Sequence, residues 1–459
     1  MSVFHCENLL AKSGWRKNVY VHVNDKGLIT AIDHKAPDSG ANELNGYVIP
    51  GFQNGHSHAF QYAMAGLAEF LPAQGKQDDF WTWREAMYNL ALKISPDQLE
   101  AISAMLYAEM LRNGTTHVVE FHYLHHDPSG NPYNNRAEMS ERLMNAAQTA
   151  GIELTVVPIY YQQGGFGKSA EVKQRRFISK NVEDYLSLVE NVHSRCQAKG
   201  YDLLAGSGIH SLRAATTQDI KEISKKRQTG AFHFHIAEQQ KEIEDCKTHL
   251  GKRPVEWVLA ELNVDKSFCF THATHMTREE TIGLAKTGAT VIICPSTEGN
   301  LGDGFFNFIE YRGMGGFYAI GSDSHIGLSP LEELRWLDYV QRLRTEKRNI
   351  ICTKTLEDSA TTLINESWTG GRRARGDFSD DFFTVGSAFD CVQLDSDHPV
   401  LMGKPEARIL GATIYGGDVT IIRKVIRRGK LVVENGKHFE VDKIRTRYRA
   451  AVETLKQDA

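Results

Sequence analysis

The sequence predicts an α/β protein: a (β/α)₈ barrel of the TIM type with a smaller β unit beside it, built from both chain ends. Three observations predict it. Between residues 48 and about 375, short apolar runs alternate with longer amphipathic stretches, the pattern of a parallel sheet whose strands are joined by helices. Both flanks instead read as strand–turn–strand. The polar residues of chemical interest stand at the carboxyl ends of the central apolar runs, where such a barrel builds its active site.

The N-terminal flank alternates over Val19-Tyr20-Val21-His22-Val23, turns at Asn24-Asp25-Lys26-Gly27 and resumes over 28–32. The C-terminal flank has apolar runs at 419–422, 425–426 and 431–433, the last meeting an Asn435-Gly436 turn, a pair suited to a tight hairpin. Residues 48–50 read as the first barrel strand. Runs at 116–121, 154–160, 205–210, 231–235, 268–272, 290–294 and 318–322 supply the rest. Amphipathic spacing predicts helices over 97–113, 182–199 and 277–287. The expected division is 50–378 for the barrel, with 1–49 and 379–459 forming the small unit.

Composition narrows the function. Lys plus Arg is 53 against 57 Asp plus Glu, a formal net charge of -4. A general nucleic-acid binder would carry a basic excess, whereas a local basic pocket for an acidic small molecule is still allowed. The segment Met1-Ser2-Val3-Phe4-His5-Cys6 lacks the basic-then-apolar run of a signal peptide. No apolar stretch reaches the roughly 18 residues that indicate a membrane span. The seven cysteines form no CxxC pair, so a disulfide framework is not expected and a reducing cytoplasm is. The expected partner is a small molecule, with no nucleic acid and no membrane.

His56 and His58 follow Val48-Ile49-Pro50-Gly51. On an extended segment, residues two apart share a face, so both imidazoles can reach one ion. His233 and His235 repeat the spacing at the end of another run. His235 is the expected ligand, because the run ends there, and His233 is read as a core or supporting residue. Glu238, three residues on, is placed to move protons for a metal-activated water. Asp323, in Gly321-Ser322-Asp323-Ser324, is expected as fourth ligand and as the base that orients that water. His272 ends a further run and can stabilise developing negative charge. Three imidazoles and one carboxylate suit a single zinc ion, with iron(II) or manganese(II) as alternatives. No lysine stands out as a bridging ligand, which favours one metal over two.

Together Pro50-Gly51…His56-Ser57-His58, His235-x-x-Glu238, His272 and Ser322-Asp323-Ser324 resemble the amidohydrolase superfamily, specifically its single-metal deaminase branch. That resemblance implies a β-sandwich made from both termini beside the barrel. A narrower set is similar to the formimidoylglutamate deiminase family of bacterial histidine breakdown. It comprises His56-Ser57-His58-Ala59-Phe60-Gln61, Trp83-Arg84, Glu120-Phe121-His122-Tyr123, His210-Ser211-Leu212-Arg213 and Cys294-Pro295-Ser296-Thr297-Glu298 through Gly304. This narrower likeness runs to about residue 440 and implies hydrolysis of N-formimidoyl-L-glutamate to N-formyl-L-glutamate and ammonia. Arg84 and Arg213 would then clamp the two substrate carboxylates, and Gln61, Tyr123 and His210 would line the same pocket. A cytoplasmic homodimer is expected. Two other readings stay open at this point: a deaminase of another amidine or a nucleobase, and a barrel of this kind that serves a structural role without catalysis.

Overall fold

The computed structural model describes residues 2–38, 40–69, 79–200, 202–227, 230–352 and 358–457. Its strands, in chain order, are β1 (Ser2–Ala11), β2 (Gly14–Val23), β3 (Ile29–Asp33), β4 (Asn42–Pro50), β5 (Phe52–Ser57), β6 (Thr115–His122) and β7 (Glu153–Tyr160). A short hairpin of β8 (Gln163–Gly165) and β9 (Lys168–Ser169) precedes β10 (Leu203–Ala205) and β11 (Ser207–Ile209). Then come β12 (Phe232–Ile236), β13 (Phe268–His272), β14 (Thr290–Ile293) and β15 (Phe317–Ile320). The last four are β16 (Cys391–Leu394), β17 (Ile422–Arg427), β18 (Lys430–Glu434) and β19 (Lys437–His438).

Two sheets organise these strands. The barrel follows the parallel order β5-β6-β7-β11-β12-β13-β14-β15, with β10 also against β7. The small unit is one eight-stranded path, β3-β2-β1-β4-β16-β17-β18-β19, so strands from both chain ends share it. Its pairs are antiparallel except β1 with β4, which is parallel.

The run 48–50, expected as the first barrel strand, belongs to the small sheet instead. It is the end of β4, with Pro50 opposite Cys391. The chain changes sheets immediately afterwards: the Gly51 N–H donates to Asp390 and the Phe52 N–H to Gly114. A short apolar run reads the same in either sheet, so periodicity alone could not separate them. The run expected over 205–210 is split at Gly206 into β10 and β11. Residues 419–421 form a 3₁₀ turn capped by the Asp418 side chain rather than a strand. The C-terminal flank is also not purely β: a helix spans Val441–Gln457. Val441, Ile444, Ala451 and Leu455 are its buried stripe, and Arg447 reaches Glu100 at 2.7 Å on the helix Pro96–Arg112.

Local sequence explains the central helices. Pro96–Arg112 starts with Ser95 and Gln98 in a reciprocal capping box, has Pro96 in its first turn and ends on Arg112, all favourable to those termini. Asn181 caps Val182–Lys199, and Thr277 with Glu280 boxes the start of Arg278–Lys286. Strand register is set by packing. Phe232 lies opposite Phe268 and Phe234 opposite Phe270. All four rings are fully buried, with centroids 5.2 and 6.1 Å apart across the two strands. Such pairs contribute about 0.5–1.5 kcal/mol each beyond burial. The same register puts His235 opposite Thr271 and Ile236 opposite His272.

Among the described residues, which include all seven cysteines, no disulfide is formed. Among the described residues, no helix is long and apolar enough to cross a membrane.

The helix Ser359–Ala374 lies with its backbone on β15: a Cβ built on Gly370 would fall 1.6 Å from the Tyr318 carbonyl oxygen. Gly370→Ala is therefore expected to destabilise the fold by about 1–3 kcal/mol, against the gain of about 1 kcal/mol that helix propensity alone would give. Urea denaturation measures the sign, and a stabilised variant would contradict this packing.

Candidate metal centre and active site

The barrel closes where β5 meets the segment after β15. Ser57 and Asp323 form a parallel bridge. The Ser322 and Asp323 N–H groups both reach the His56 carbonyl at 3.1 Å, and the His58 N–H donates to the Asp323 carbonyl at 3.2 Å. Asn54 ties the same seam: its amide donates to Ser322 Oγ at 2.7 Å, and its carbonyl oxygen accepts from the His56 and Ser322 N–H groups at 3.2 Å. Gly321 must lack a side chain here, because a Cβ would sit 2.8 Å from His56 Cβ and 2.9 Å from Cys294 Sγ. First and last barrel strands thus deliver His56, His58 and Asp323 to one place.

Four of the expected residues, His56, His58, His235 and Asp323, are buried and offer ligand atoms that all lie within 4.8 Å of one another. His56 Nε2 is 3.1 Å from His58 Nε2 and 3.0 Å from His235 Nε2. Asp323 Oδ1 is 3.4 Å from His56 Nε2 and 3.2 Å from His58 Nε2. Donors around a tetrahedral zinc ion are about 3.3 Å apart, given bonds of about 2.0 Å. The outer ring nitrogens explain the orientation. His58 Nδ1 faces the Phe121 carbonyl at 2.9 Å and His235 Nδ1 the His210 carbonyl at 3.1 Å. A carbonyl only accepts, so in both rings Nδ1 carries the proton and Nε2 presents a lone pair inward. His56 Nδ1 has the Thr271 hydroxyl at 3.3 Å. Burial drives the His56 imidazole down to about 3 and that of His235 well below its ordinary range, so both rings stay neutral. Lone pairs of neutral rings and a carboxylate converging at these distances repel one another unless a cation lies between them. The donor set fits a divalent ion.

His272 is the last residue of β13, with its backbone in the left-handed region at φ 70°. Asp323 is left-handed too, at φ 45°. Such non-glycine positions cost about 1–3 kcal/mol each and gather at functional sites. His272 Nε2 lies 3.6 Å from Glu238 and 3.7 Å from Asp323 Oδ2. Burial alone would depress its pKa, but the carboxylates of Glu238, Glu298 and Asp323 outweigh that and push it up to about 10. Burial likewise opposes ionisation of Asp323, and the cationic His272 ring beside it favours the carboxylate.

The remaining expected residues line the pocket over this centre. Gln61, on a 3₁₀ turn after His58, donates to the Tyr123 hydroxyl at 2.9 Å, and its own carbonyl oxygen is buried without a partner. His210 follows β11; its ring packs 4.7 Å from Tyr161 and 5.6 Å from Tyr123 while its carbonyl orients His235. Arg84, on the helix Phe80–Ala91, lies over the Trp81 and Tyr88 rings at 4.6 and 5.3 Å. Arg213 is 3.6 Å from Glu242. Among the described residues, Arg84 Nε and Arg213 Nε and Nη1 are buried donors with no hydrogen-bond partner. Phe80, Trp83, Met87 and Leu301 complete the wall. His233 points elsewhere, bonding the Ala374 carbonyl at 2.7 Å.

Sequence reasoning missed four acids. Glu120 receives the Ser57 hydroxyl at 2.7 Å, the Ala59 N–H at 2.5 Å and the Tyr107 hydroxyl at 3.2 Å, clamping the His56-Ser57-His58 turn from below. Glu242 accepts the Glu238 N–H at 3.1 Å and faces Arg213. Glu298 is 3.3 Å from His272 Nδ1. Asp303 accepts from Gln239, and burial, then the Glu238 charge, raise its pKa. The available signals were positional: Glu242 lies four residues after Glu238, and Glu298 lies in the first turn of the helix after β14.

The amidohydrolase family model matches residues 47–353. Formimidoylglutamate deiminase of Pseudomonas aeruginosa is 42% identical over 440 residues, covering 95% of this chain and 96% of that protein. A crystal structure of an amidohydrolase from Brucella melitensis superposes with a TM-score of 0.92 at 38% identity, covering 99% of this chain and 100% of that one. Atrazine chlorohydrolase of Arthrobacter aurescens, solved with zinc, shares the fold with a TM-score of 0.81 at 16% identity, covering 98% of this chain and 100% of that one.

The convergent donor set generates a stoichiometry. Elemental analysis of the purified protein should find about one divalent ion per chain, with His235→Asn well below that level because one of about four donors is lost. An unchanged metal content in His235→Asn would exclude His235 from the centre.

Proposed function

The chain belongs to the amidohydrolase family, and from that premise we propose that it hydrolyses N-formimidoyl-L-glutamate to N-formyl-L-glutamate and ammonia. The observation that carries the substrate is the pair of guanidinium groups. Arg84 and Arg213 both line the pocket over the imidazole cluster, and among the described residues Arg84 Nε and Arg213 Nε and Nη1 make no hydrogen bond, Arg213 keeping only its 3.6 Å ion pair with Glu242. Unsatisfied charged donors are costly, and planar carboxylates satisfy them two bonds at a time. A substrate with carboxylates at one end and an amidine at the other matches that polarity. The formimidoylglutamate deiminase of Pseudomonas aeruginosa, at 42% identity, supports the same reading.

His56, His58, His235 and Asp323 would hold the divalent ion, zinc by the character of the donors, with iron(II) or manganese(II) able to replace it. When bound, such an ion supplies Lewis acidity and lowers the pKa of water. The protein's own groups do the rest. Asp323 Oδ2, turned toward His272 at 3.7 Å, takes the proton of the attacking water. The water oxygen adds to the formimidoyl carbon, and the cationic His272 ring stabilises charge on that oxygen. The first water proton, held by Asp323, and the second, taken from the added hydroxyl, both pass by way of Glu238, 3.6 Å from His272, to the departing imino nitrogen. The carbon–nitrogen bond breaks, ammonia leaves, and the added oxygen, now without hydrogen, remains as the formyl carbonyl. Gln61, Tyr123 and His210 wall the pocket and fix where the amidine lies.

Two variants test the roles. Asp323→Asn should cost at least about 100-fold in kcat, the scale of a general base, and near-normal turnover with metal bound would remove Asp323 as the base. Arg84→Met should raise KM for formimidoylglutamate, lowering kcat/KM about 10- to 150-fold, the equivalent of a charged hydrogen bond of about 1.5–3 kcal/mol. An unchanged KM would remove Arg84 from substrate binding. Ammonia release from guanine, cytosine and adenosine in parallel separates this substrate from nucleobase alternatives.

A further inference from the structure

We propose that Glu298 is a positioning residue of the reaction, acting through His272. The inference rests on the reading that His272 takes part in hydrolysis. Residues 294–304 form a run that the metal donors and the arginine pair leave without a task. Within it, β14 ends at Ile293 and a short helix, Pro295–Leu301, turns Glu298 back toward the barrel mouth. One carboxylate oxygen, Glu298 Oε1, accepts the Cys294 N–H at 3.0 Å and lies 3.3 Å from His272 Nδ1. The opposite ring nitrogen, Nε2, faces Glu238 at 3.6 Å and Asp323 at 3.7 Å. The imidazole therefore spans two sets of acids, Glu298 behind it and the reacting carboxylates in front.

Glu298 is buried and lines the neighbouring cavity beside Phe306 and Gln341, not the pocket shared by Arg84 and Arg213. From there it works at one remove, through His272. A histidine ring can turn over about its Cβ–Cγ bond. A carboxylate at Nδ1 settles the turn: it takes the Nδ1–H bond and keeps Nε2 directed at the reacting atoms. The Cys294 N–H holds that carboxylate oxygen in turn, so the orientation is built into the backbone of the turn after β14.

The experiment is a double-mutant cycle with a spectroscopic arm. Glu298→Ala should lower kcat about 10- to 100-fold, the usual cost of losing a partner that orients a working histidine, with KM for formimidoylglutamate within about twofold. Glu298→Gln, which keeps an acceptor oxygen, should recover part of that loss. In a His272→Ala background, Glu298→Ala should cost nothing further, because the group it acts through is gone. The same loss in both backgrounds, or no loss in the first, would overturn the proposal. The activity-independent arm is proton NMR of the metal-loaded protein. A low-field imidazole N–H resonance that disappears in His272→Ala should also disappear in Glu298→Ala. Its persistence there would overturn the proposal even if formimidoylglutamate proved not to be the substrate, whereas failure of the substrate alone would leave the resonance pattern as described.

Discussion

The closure of the barrel between β5 and the segment after β15 is the contact on which the site depends. In a barrel no crossover joins the first strand to the last, so that seam rests on the bonds made directly between them. Here the His56 carbonyl takes two N–H groups from Ser322 and Asp323, and Asn54 bonds both sides. The same few residues that shut the barrel carry the imidazoles and the carboxylate. Closure of the barrel and assembly of the candidate metal centre therefore depend on the same residues. A loosened seam would separate His56 from Asp323, and the donor geometry would be lost with it.

Around this seam the protein buries an unusual concentration of charge. Glu238, Glu298, Asp303 and Asp323 all lie near His272, and carboxylates so close in a poorly solvated site cannot all ionise. The environment sorts them. Asp323 is kept ionised by the cationic His272 ring beside it, against the effect of burial. Asp303 is the acid whose pKa burial raises, with Glu238 adding to the effect. His272 takes on positive charge between them. On the pocket's other wall, Arg213 is balanced loosely by Glu242, whereas Arg84 rests on the faces of Trp81 and Tyr88. The pocket is therefore polarised, cationic where carboxylates would dock and acidic where protons would move.

Much of this was legible in the sequence, and the reason is geometric. Strand ends in a parallel barrel share one rim, so His56, His235, His272 and Asp323 could be placed together from their positions after apolar runs. Gln61, Arg84, Tyr123, His210 and Arg213 carried no such signal and were singled out through family likeness. Residues 48–50 were read into the wrong sheet because an apolar run does not record its partners. The helix Val441–Gln457 was overlooked although its stripe at 441, 444, 451 and 455 has helical spacing; the strands before it dominated the reading of that flank. Glu120, Glu242, Glu298 and Asp303 could not be found by periodicity. A lone acid on a strand, a helix or a loop looks like a cap or a solvated residue, and only the fold discloses that it is buried beside a histidine or an arginine.

The central claim joins two things: a metal centre of three imidazoles and a carboxylate, and an arginine pair that reads a dicarboxylate. A crystal structure of the metal-loaded protein with N-formyl-L-glutamate tests both at once. The account predicts an ion within about 2.0–2.3 Å of His56, His58, His235 and Asp323, the formyl group beside it, and the two carboxylates paired with Arg84 and Arg213. An ion bound elsewhere, or the product's carboxylates turned away from both arginines, would contradict it.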